Sequence, residues 1–155
     1  MVKLNLPEYT FEVKKEKGQF YIRDIIRKKY LLLTPEEWVR QNITAFLTNG
    51  RDFPAVLFSM ESGIKVNSLQ KRYDALVYSR SGSPLLLIEC KAPEVAINQK
   101  VFEQIIAYNN TVKAPYMLVT NGILHYFLRI DNQSGKFVFD TSIPFFTELL
   151  QNGKV

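Results

Sequence analysis

Two nearby segments of the sequence carry side chains that could hold a metal ion and a water molecule against a phosphate. Asp74 precedes the apolar run 75–77, and Glu89-Cys90-Lys91 follows the apolar run 85–88. Side chains alternate between the two faces of a β-strand, so Glu89 and Lys91 share a face and Cys90 points the other way. A tight hairpin would place Asp74 beside that pair. Two carboxylates and an ammonium are costly to place together in apolar surroundings unless they bind something.

The ligand chemistry of such a site favours a divalent cation. Carboxylates are hard oxygen ligands suited to Mg²⁺, with Mn²⁺ as a substitute. We expect Asp74 and Glu89 to hold the ion, helped by the main-chain carbonyl of Cys90. Lys91 would orient or deprotonate the attacking water and offset charge on the phosphate. The competing interpretation is an exposed ion pair between Glu89 and Lys91, which contributes less than about 1 kcal/mol.

Two adjacent acids, Glu36 and Glu37, begin the first predicted helix. Thr34 is its expected N-cap, and Glu37 lies three residues later, as a capping box requires. Glu36 lies three residues before Val39 and seven before Ile43, which places it on the stripe that faces the sheet. We therefore expect Glu36 to be a further catalytic and metal-binding acid. The alternative is that it only stabilises the helix dipole, by about a few tenths of a kcal/mol.

Candidate nucleic-acid contacts lie in the second predicted helix and just before Asp74. Gln104 and Tyr108 are four residues apart and share a helix face with Lys100. Gln104 and Tyr108 can hydrogen-bond a phosphate or the catalytic lysine, which makes Gln104 a catalytic candidate as well. Taken alone, Tyr108 is typical of a core aromatic residue. Lys71 and Arg72 would lie at the mouth of the site, where a phosphate approaches.

Local signals predict the elements that position these residues. The first helix begins after Thr34, carries Pro35 at its first position and ends at Asn49-Gly50. The strongest hairpin signal, Asn121-Gly122, joins a strand over 116–120 to one over 123–130. The other expected elements are a hairpin from 11–13 and 19–22, a short segment at 23–30 that can be read as helical, strands over 55–61, 72–78 and 85–91 with an extension at 64–66, a helix over 97–110, an edge strand over 137–139, and a closing helix over 142–150 capped by Ser142. This order predicts a mixed sheet with helices packed on it.

Composition limits the class of protein. The chain has 155 residues, enough for one domain with a real core, and a formal charge of +5, which is compatible with binding a polyanion. Its single cysteine excludes an internal disulfide and a zinc site built from several thiolates. No apolar run is long enough to span a bilayer, and the first residues do not have the layout of a signal peptide. We expect a cytoplasmic protein of bacterial type with no membrane partner.

Together these residues resemble the PD-(D/E)XK nuclease superfamily, and more closely the N-terminal nuclease-like domain of type I restriction enzyme R subunits in a small stand-alone form. The resemblance spans about residues 27–126, and Tyr73 stands where the superfamily name implies proline. The segments that carry it are Arg27-Lys28-Lys29-Tyr30, residues 33–41, Arg72-Tyr73-Asp74, Ile88-Glu89-Cys90-Lys91-Ala92-Pro93, residues 104–109 and Thr120-Asn121-Gly122.

The resemblance implies one restriction-endonuclease-like α/β domain over residues 1–155. Its α-β-β-β-α-β core would span about 27–130, with an N-terminal hairpin and a C-terminal hairpin and helix. It also implies metal-binding acids at Asp74 and Glu89, a first-helix acid at Glu36 and a catalytic lysine at Lys91. Gln104 and Tyr108 would match the Q-x-x-x-Y element of the RecB-like branch.

The function implied is Mg²⁺-dependent hydrolysis of phosphodiester bonds in DNA, with an endonuclease favoured. No phosphate-binding loop of an NTPase is present in the sequence, so movement along DNA would need a helicase or other restriction-system partner. A homodimer is the other expected partnership, since many nucleases of this type cut duplexes as dimers. The main alternative is a non-catalytic module of nuclease fold that binds nucleic acid or a restriction or repair protein. A subunit that is active only inside a complex is a third reading.

Overall fold

The computed structural model describes residues 1–61, 63–66 and 69–151, with the side chains of residues 64–66, 69–71 and 151 outside that description. Three strands near the N-terminus, β1 (Val13–Glu16), β2 (Gln19–Arg23) and β3 (Tyr30–Leu32), form an antiparallel sheet in that order. The predicted hairpin is confirmed. Its turn contains Gly18 at φ +81°, a left-handed conformation that glycine adopts without strain.

The segment between β2 and β3 is a turn, so the helical reading of residues 23–30 is wrong. The Asp24 carboxylate accepts hydrogen bonds from the main-chain N–H groups of Ile26 and Arg27, both at 2.8 Å. Aspartate commonly closes a turn in this way, which offers the backbone an alternative to a helix. The chain then returns directly into β3.

Helix α1 (Pro35–Ala45) begins where the sequence predicts, because the Thr34 hydroxyl accepts a hydrogen bond from the Glu37 N–H at 3.0 Å. It continues into one π-helical turn, Phe46–Gly50, which ends at the predicted Asn49-Gly50. Val39, Ile43 and Leu47 are fully buried and form the apolar stripe that packs on the sheet.

The expected strand over 55–61 is shorter than predicted. Residues Ala55–Leu57 form a 3₁₀ turn after Pro54, and strand β4 covers only Phe58–Met60. Strands β5 (Gly63–Val66) and β6 (Leu69–Arg72) then pair with each other as a separate two-stranded hairpin. This hairpin contains the extension expected at 64–66. It also contains residue 72, which was expected to begin the strand over 72–78.

The main sheet is completed by β7 (Ala75–Tyr78), β8 (Pro84–Cys90), β9 (Tyr116–Thr120), β10 (His125–Ile130) and β11 (Phe137–Asp140), with helix α2 (Gln99–Val112) between β8 and β9. Within the described ranges its six strands lie in the order β11-β10-β9-β8-β7-β4, and only the β8–β9 pair is parallel. The α-β-β-β-α-β order is confirmed, with the β5–β6 hairpin inserted between the first two strands.

The closing helix α3 (Phe146–Gln151) starts four residues later than expected. Pro144 disfavours a helical conformation at Ile143, so Ser142 cannot act as the N-cap. The first turn is instead capped by Glu148, whose carboxylate accepts a hydrogen bond from the Phe145 N–H at 3.0 Å. None of the helices in the described ranges is long and apolar enough to cross a membrane.

The sheet separates two apolar layers. Ile88 and Cys90 of β8 belong to the layer that contains Val39 and Ile43 of α1. Leu87 belongs to the opposite layer, together with Ile105 of α2. The alternation of side chains along β8 therefore buries the Cys90 thiol and leaves Glu89 on the face that carries α2.

Candidate active site

Strand pairing brings Asp74 and Glu89 together. Ala75 of β7 is paired with Ile88 of β8, so Asp74, immediately before β7, comes next to Glu89 on the same ladder. Both acids are buried. Asp74 Oδ2 accepts a hydrogen bond from the Cys90 N–H at 2.7 Å, which fixes its carboxylate against the end of β8.

Lys91 follows the last residue of β8 and joins the same cluster. Its Nζ lies 3.2 Å from Glu89 Oε1, and its N–H donates to the Thr120 carbonyl at 2.8 Å. The Lys91 side chain is 23% exposed and that of Glu89 is 10% exposed. The two residues therefore form an ion pair, but a largely buried one and not the solvent-exposed pair of the competing interpretation.

The surroundings of these groups set their protonation. Burial and the nearby Asp74 carboxylate raise the pKa of Glu89 to about 8, although Lys91 opposes the shift. Burial acts to lower the pKa of Lys91, but the Glu89 carboxylate outweighs burial and raises it. An ionised Glu89 therefore pairs with the Lys91 ammonium, whereas a proton on Glu89 relieves its repulsion from Asp74.

Glu36 lies at the edge of this cluster and is half exposed, with 46% of its side chain accessible. The expectation that it lies on the buried stripe is wrong, since a residue in the first turn of α1 has no preceding helical turn to cover it. Partial burial and the Asp74 carboxylate raise the pKa of Glu36, whereas Arg40 and Lys91 oppose the shift. Glu36 is therefore close enough to interact electrostatically with both Asp74 and Lys91.

Glu37 does not complete the capping box. Its carboxylate contacts Arg40 and accepts a hydrogen bond from Gln41 Nε2 at 2.9 Å. The Thr34 N–H that a capping box would satisfy already donates to the Leu32 carbonyl at 3.0 Å. A guanidinium one helical turn away is also a stronger partner for a carboxylate than a neutral N–H group.

Arg40 is the main site residue that sequence reasoning missed. Its side chain is buried, with Nη2 2.7 Å from Asp74 Oδ1 and 3.3 Å from Glu36 Oε1. Its Nη1 contacts Glu37 and lies 3.1 Å from Glu61 Oε1. Its Nε is buried without a hydrogen-bond partner among the described residues. The spacing of Arg40 from Glu36 and Glu37, four and three residues, was the available signal.

A chain of ion pairs continues from Arg40 to the N-terminal sheet. Glu61 also accepts from Arg27 Nη2 at 2.9 Å, and Arg27 Nε lies 2.8 Å from Asp24 Oδ2. Arg72, a predicted nucleic-acid contact, is exposed and donates to the Glu61 carbonyl at 3.2 Å. Lys71, the other predicted contact before Asp74, has its side chain outside the described part of the structure.

An open groove of about 680 Å³ lies between α1, the end of β8 and the start of α2. Glu36, Lys91, Lys100 and Gln104 all line it. Gln104 Nε2 lies within 3.3 Å of the hydroxyl of Tyr108, which is itself buried in the core beneath α2. The structure therefore brings Lys100 and Gln104 to the same groove as Lys91, while Tyr108 supports Gln104 from within the core.

The donor set fits a hard divalent cation held by few protein ligands. In the described ranges no group of three or more acidic, histidine or cysteine side chains is arranged to hold a metal ion. Asp74 and Glu89 are nevertheless two buried carboxylates close enough for one to raise the pKa of the other. A cation between them would replace the proton on Glu89 and remove that repulsion.

The mixed sheet, its flanking helices and the acid-acid-lysine arrangement define a protein of restriction-endonuclease-like fold. Residues 35–144 match the family described as the type I restriction enzyme R protein N terminus (HSDR_N). This match covers more than half of the chain, so the chain belongs to that nuclease-like family. The resemblance expected from the sequence is confirmed.

A solved structure agrees at the level of fold. This structure, described as a fragment of an HsdR subunit of a type I restriction enzyme from Vibrio vulnificus YJ016, is 21% identical, with a TM-score of 0.54. That match covers 77% of this chain but only 25% of the HsdR fragment. A DUF820 protein from Anabaena variabilis ATCC 29413, described as a nuclease, is 12% identical with a TM-score of 0.47, covering 94% of this chain and 88% of its own. No curated protein matches the sequence significantly.

Proposed function

We propose that this protein is a Mg²⁺-dependent nuclease that hydrolyses phosphodiester bonds in DNA, with endonuclease action favoured. The observation that carries the proposal is the pairing of β7 with β8. It sets Asp74 beside Glu89, with Lys91 bonded to Glu89 at the edge of an open groove. Membership of the R-subunit family supports a nuclease and, more generally, a role with DNA in a restriction system.

Four groups would hold the metal: the carboxylates of Asp74 and Glu89, the main-chain carbonyl of Cys90, and Glu36 directly or through water. A bound Mg²⁺ lowers the pKa of a coordinated water and offsets charge on the phosphate. Glu89 would bind as a carboxylate, so its proton must leave when the ion enters. The half-exposed Glu36 has the freedom to act through a water molecule.

Lys91 would act as an ammonium. Because the pKa of Lys91 is raised, it is a poor base at neutral pH and a good hydrogen-bond donor. It would therefore orient the attacking water and offset charge that develops on the phosphate. Of the two roles expected from the sequence, the contact of Lys91 with Glu89 favours orientation over deprotonation.

Lys100 and Gln104 would hold the nucleic acid along the groove, and Arg72 and Lys71, which precede Asp74 in the sequence, are the other proposed contacts. A lysine binds a phosphate as a point charge, whereas the Gln104 amide donates a directional hydrogen bond. Tyr108 would act only through Gln104, since Tyr108 is buried in the core.

Cleavage of DNA in Mg²⁺ tests the proposal with three proteins: wild type, Lys91→Ala and Lys136→Ala. Lys136 is an exposed lysine just before β11, so its variant controls for the loss of one surface charge. We expect Lys91→Ala to abolish cleavage and Lys136→Ala to retain it. Equal cleavage by Lys91→Ala and wild type would overturn the proposal.

A second candidate function is a non-catalytic module that binds DNA or a restriction-system protein. The observation that favours it is that both oxygens of Asp74 are already bonded, one to Arg40 and the other to the Cys90 N–H. Water-proton relaxation of Mn²⁺ with wild type and Asp74→Ala separates the two functions. Binding that is lost in Asp74→Ala supports the nuclease, and no binding by wild type at millimolar Mn²⁺ supports the module. Metal binding without cleavage by the isolated chain would indicate a subunit active only with its partner.

A further inference from the structure

The positive charge of this chain is concentrated in the N-terminal sheet. Residues 11–33 contain seven lysines and arginines and three acids, a net charge of +4 out of +5 for the whole chain. The other 132 residues are therefore close to neutral. A polyanion that approaches the protein is attracted mainly to this sheet.

Both faces of the sheet carry a lysine beside an aromatic ring, Lys15 with Phe20 on one and a larger group on the other. Strand register places Lys14, Tyr21 and Leu32 in one row and Arg23 and Tyr30 in the next, with all five side chains on the same face. Tyr30 and Leu32 are exposed, at 38% and 44%. We call these five residues the N-terminal face.

The opposite side of the sheet packs on the protein. Ile22 of β2 is fully buried, and its neighbour Leu31 of β3 is partly buried. Phe20 also points to that side, but it lies near the open end of β2 and remains 51% exposed. Phe20 is therefore an exposed ring on the same strand as Tyr21 but on the other face.

Basic groups and rings on the N-terminal face are close enough to act on one ligand. Lys14 Nζ lies 4.5 Å from the centroid of the Tyr30 ring and 6.0 Å from that of Tyr21. Lys14 Nζ also lies 3.1 Å from Glu16 Oε2, and Arg23 Nη1 lies 3.5 Å from Glu12. Both are exposed surface pairs, which contribute little to stability, so the two cations can exchange these acids for phosphates. Alternating rings and cations are the elements with which proteins bind unpaired nucleic-acid strands.

The sheet is also tied to the candidate active site. Arg27, in the turn between β2 and β3, pairs with Glu61, and Glu61 pairs with Arg40. Arg40 in turn holds Asp74. Three consecutive ion pairs therefore connect the turn of the N-terminal sheet with the acid cluster.

We infer that the N-terminal face binds single-stranded nucleic acid, with bases stacked on Tyr21 and Tyr30 and phosphates paired with Lys14 and Arg23. A duplex would present only its backbone to these rings, because its bases are stacked inside. This inference rests on the proposed nuclease function and deepens it: the substrate contains an unpaired strand as well as the bond that is cut. Lys28 and Lys29, both exposed beside Tyr30, would extend the positive surface.

Fluorescence anisotropy with labelled oligothymidylate, and with a duplex of equal length, tests the inference in buffer that contains a chelator and no metal. The variants are Tyr30→Ser and the matched control Phe20→Ser, which removes an exposed ring from the other face of the sheet. We expect Tyr30→Ser to weaken single-strand binding by about tenfold, since loss of one stacked base partner has an effect of that order. Phe20→Ser should change it less than about twofold. Equal effects of both variants, or tighter binding of duplex than of single strand by wild type, would overturn the inference.

A charge variant covers the case in which Tyr30→Ser does not fold. Lys14→Glu reverses an exposed charge on the N-terminal face, and Lys136→Glu makes the same change before β11. Only Lys14→Glu should weaken binding and reduce its salt dependence, because a phosphate contact is lost. Identical behaviour of the two variants counts against the inference. Because this binding assay contains no metal, a failure of the inference would not bear on metal binding or cleavage. A failure of the nuclease proposal would instead appear as absent cleavage with single-strand binding intact.

Discussion

Arg40 Nη2 lies 2.7 Å from Asp74 Oδ1, so a buried guanidinium occupies one side of the carboxylate that we propose as a metal ligand. The pKa of Arg40 is raised, because its acidic neighbours outweigh the effect of burial, and its charge is therefore permanent. Glu36, Glu37 and Glu61 contact the same guanidinium. A fixed positive charge thus sits inside the acid cluster and competes with any cation for Asp74.

Replacement of Arg40 by glutamine should tighten metal binding. At an effective dielectric constant near 20, a unit charge about 4–5 Å from a bound cation repels it by roughly 3–4 kcal/mol. Solvent and relaxation of the protein will offset much of this repulsion. We expect Mn²⁺ affinity to rise by about tenfold, measured by water-proton relaxation, whereas Arg72→Gln at the exposed edge should change it little. Weaker or unchanged binding by Arg40→Gln would show that Arg40 does not compete with the ion.

The same substitution should destabilise the metal-free protein. Without Arg40, the buried Glu37 and Asp74 carboxylates lose their charged partner, and a broken buried ion pair typically costs about 3–5 kcal/mol. Thermal unfolding in chelator should show a clearly lower midpoint. Adding Glu37→Gln to Arg40→Gln should recover part of the loss. A double variant no more stable than the single one would contradict this account.

Stability should fall as pH rises through the upper neutral range. The pKa of Glu89 is about 8 in the folded protein, above the ordinary value of 4.5, so the folded state holds a proton that the unfolded chain has lost. Stability then decreases with pH up to about pH 8 and levels off above it. We expect a loss of about 1 kcal/mol between about pH 7 and about pH 9 in metal-free buffer.

Glu89→Gln is the control for this pH dependence. The variant cannot titrate at position 89, so its stability should vary less with pH, and it should be the more stable protein above about pH 8. Burial is the main cause that raises the pKa of Cys90, and it is common to both proteins, so most of this effect cancels in the comparison. Chemical denaturation at several pH values measures the difference. Parallel curves for the two proteins would mean that Glu89 has an ordinary pKa.

Gly122→Ala should be more destabilising than Gly82→Ala. Both glycines have positive φ, +85° and +90°, so both substitutions carry a backbone cost of about 1 kcal/mol. A Cβ on Gly122 would also lie 2.7 Å from Leu4 Cδ2 and 3.1 Å from Val39 Cγ2, whereas one on Gly82 meets nothing within 4 Å. We expect an additional loss of about 1–3 kcal/mol for Gly122→Ala, by denaturant unfolding. Equal losses would show that Leu4 moves aside freely.

Local signals were sufficient where neighbours in sequence decide the structure. Thr34 and Pro35 define the start of α1, and the short connection between β7 and β8 leaves Asp74 beside Glu89. Asn121 begins the expected turn, with its carboxamide oxygen accepting from the N–H groups of Ile123 and Leu124. That turn spans four residues, so β10 begins at His125 and not at residue 123.

Local signals failed where other side chains compete for the same group, whether they are near or distant in sequence. Glu37 fits a capping box by spacing, but Arg40 and Gln41 are its partners because the Thr34 N–H is already bonded to Leu32. The role of Arg40 depends on Glu61 and Asp74, which are 21 and 34 residues away in the chain. No local pattern contains that information, since the contacts arise only when β4 and β7 pair beside α1.

Residues near the N-terminus support the position of Lys91 indirectly, through hydrogen bonds to the segment between β9 and β10. The Asn5 N–H donates to the Gly122 carbonyl at 2.8 Å, and the Asn5 carbonyl lies 2.8 Å from His125 Nε2. The loop between β9 and β10 is thus clamped by a segment far away in sequence. Directly before that loop, the Thr120 carbonyl holds the Lys91 N–H. Strain on Leu4 and Asn5 would therefore loosen the support of Lys91.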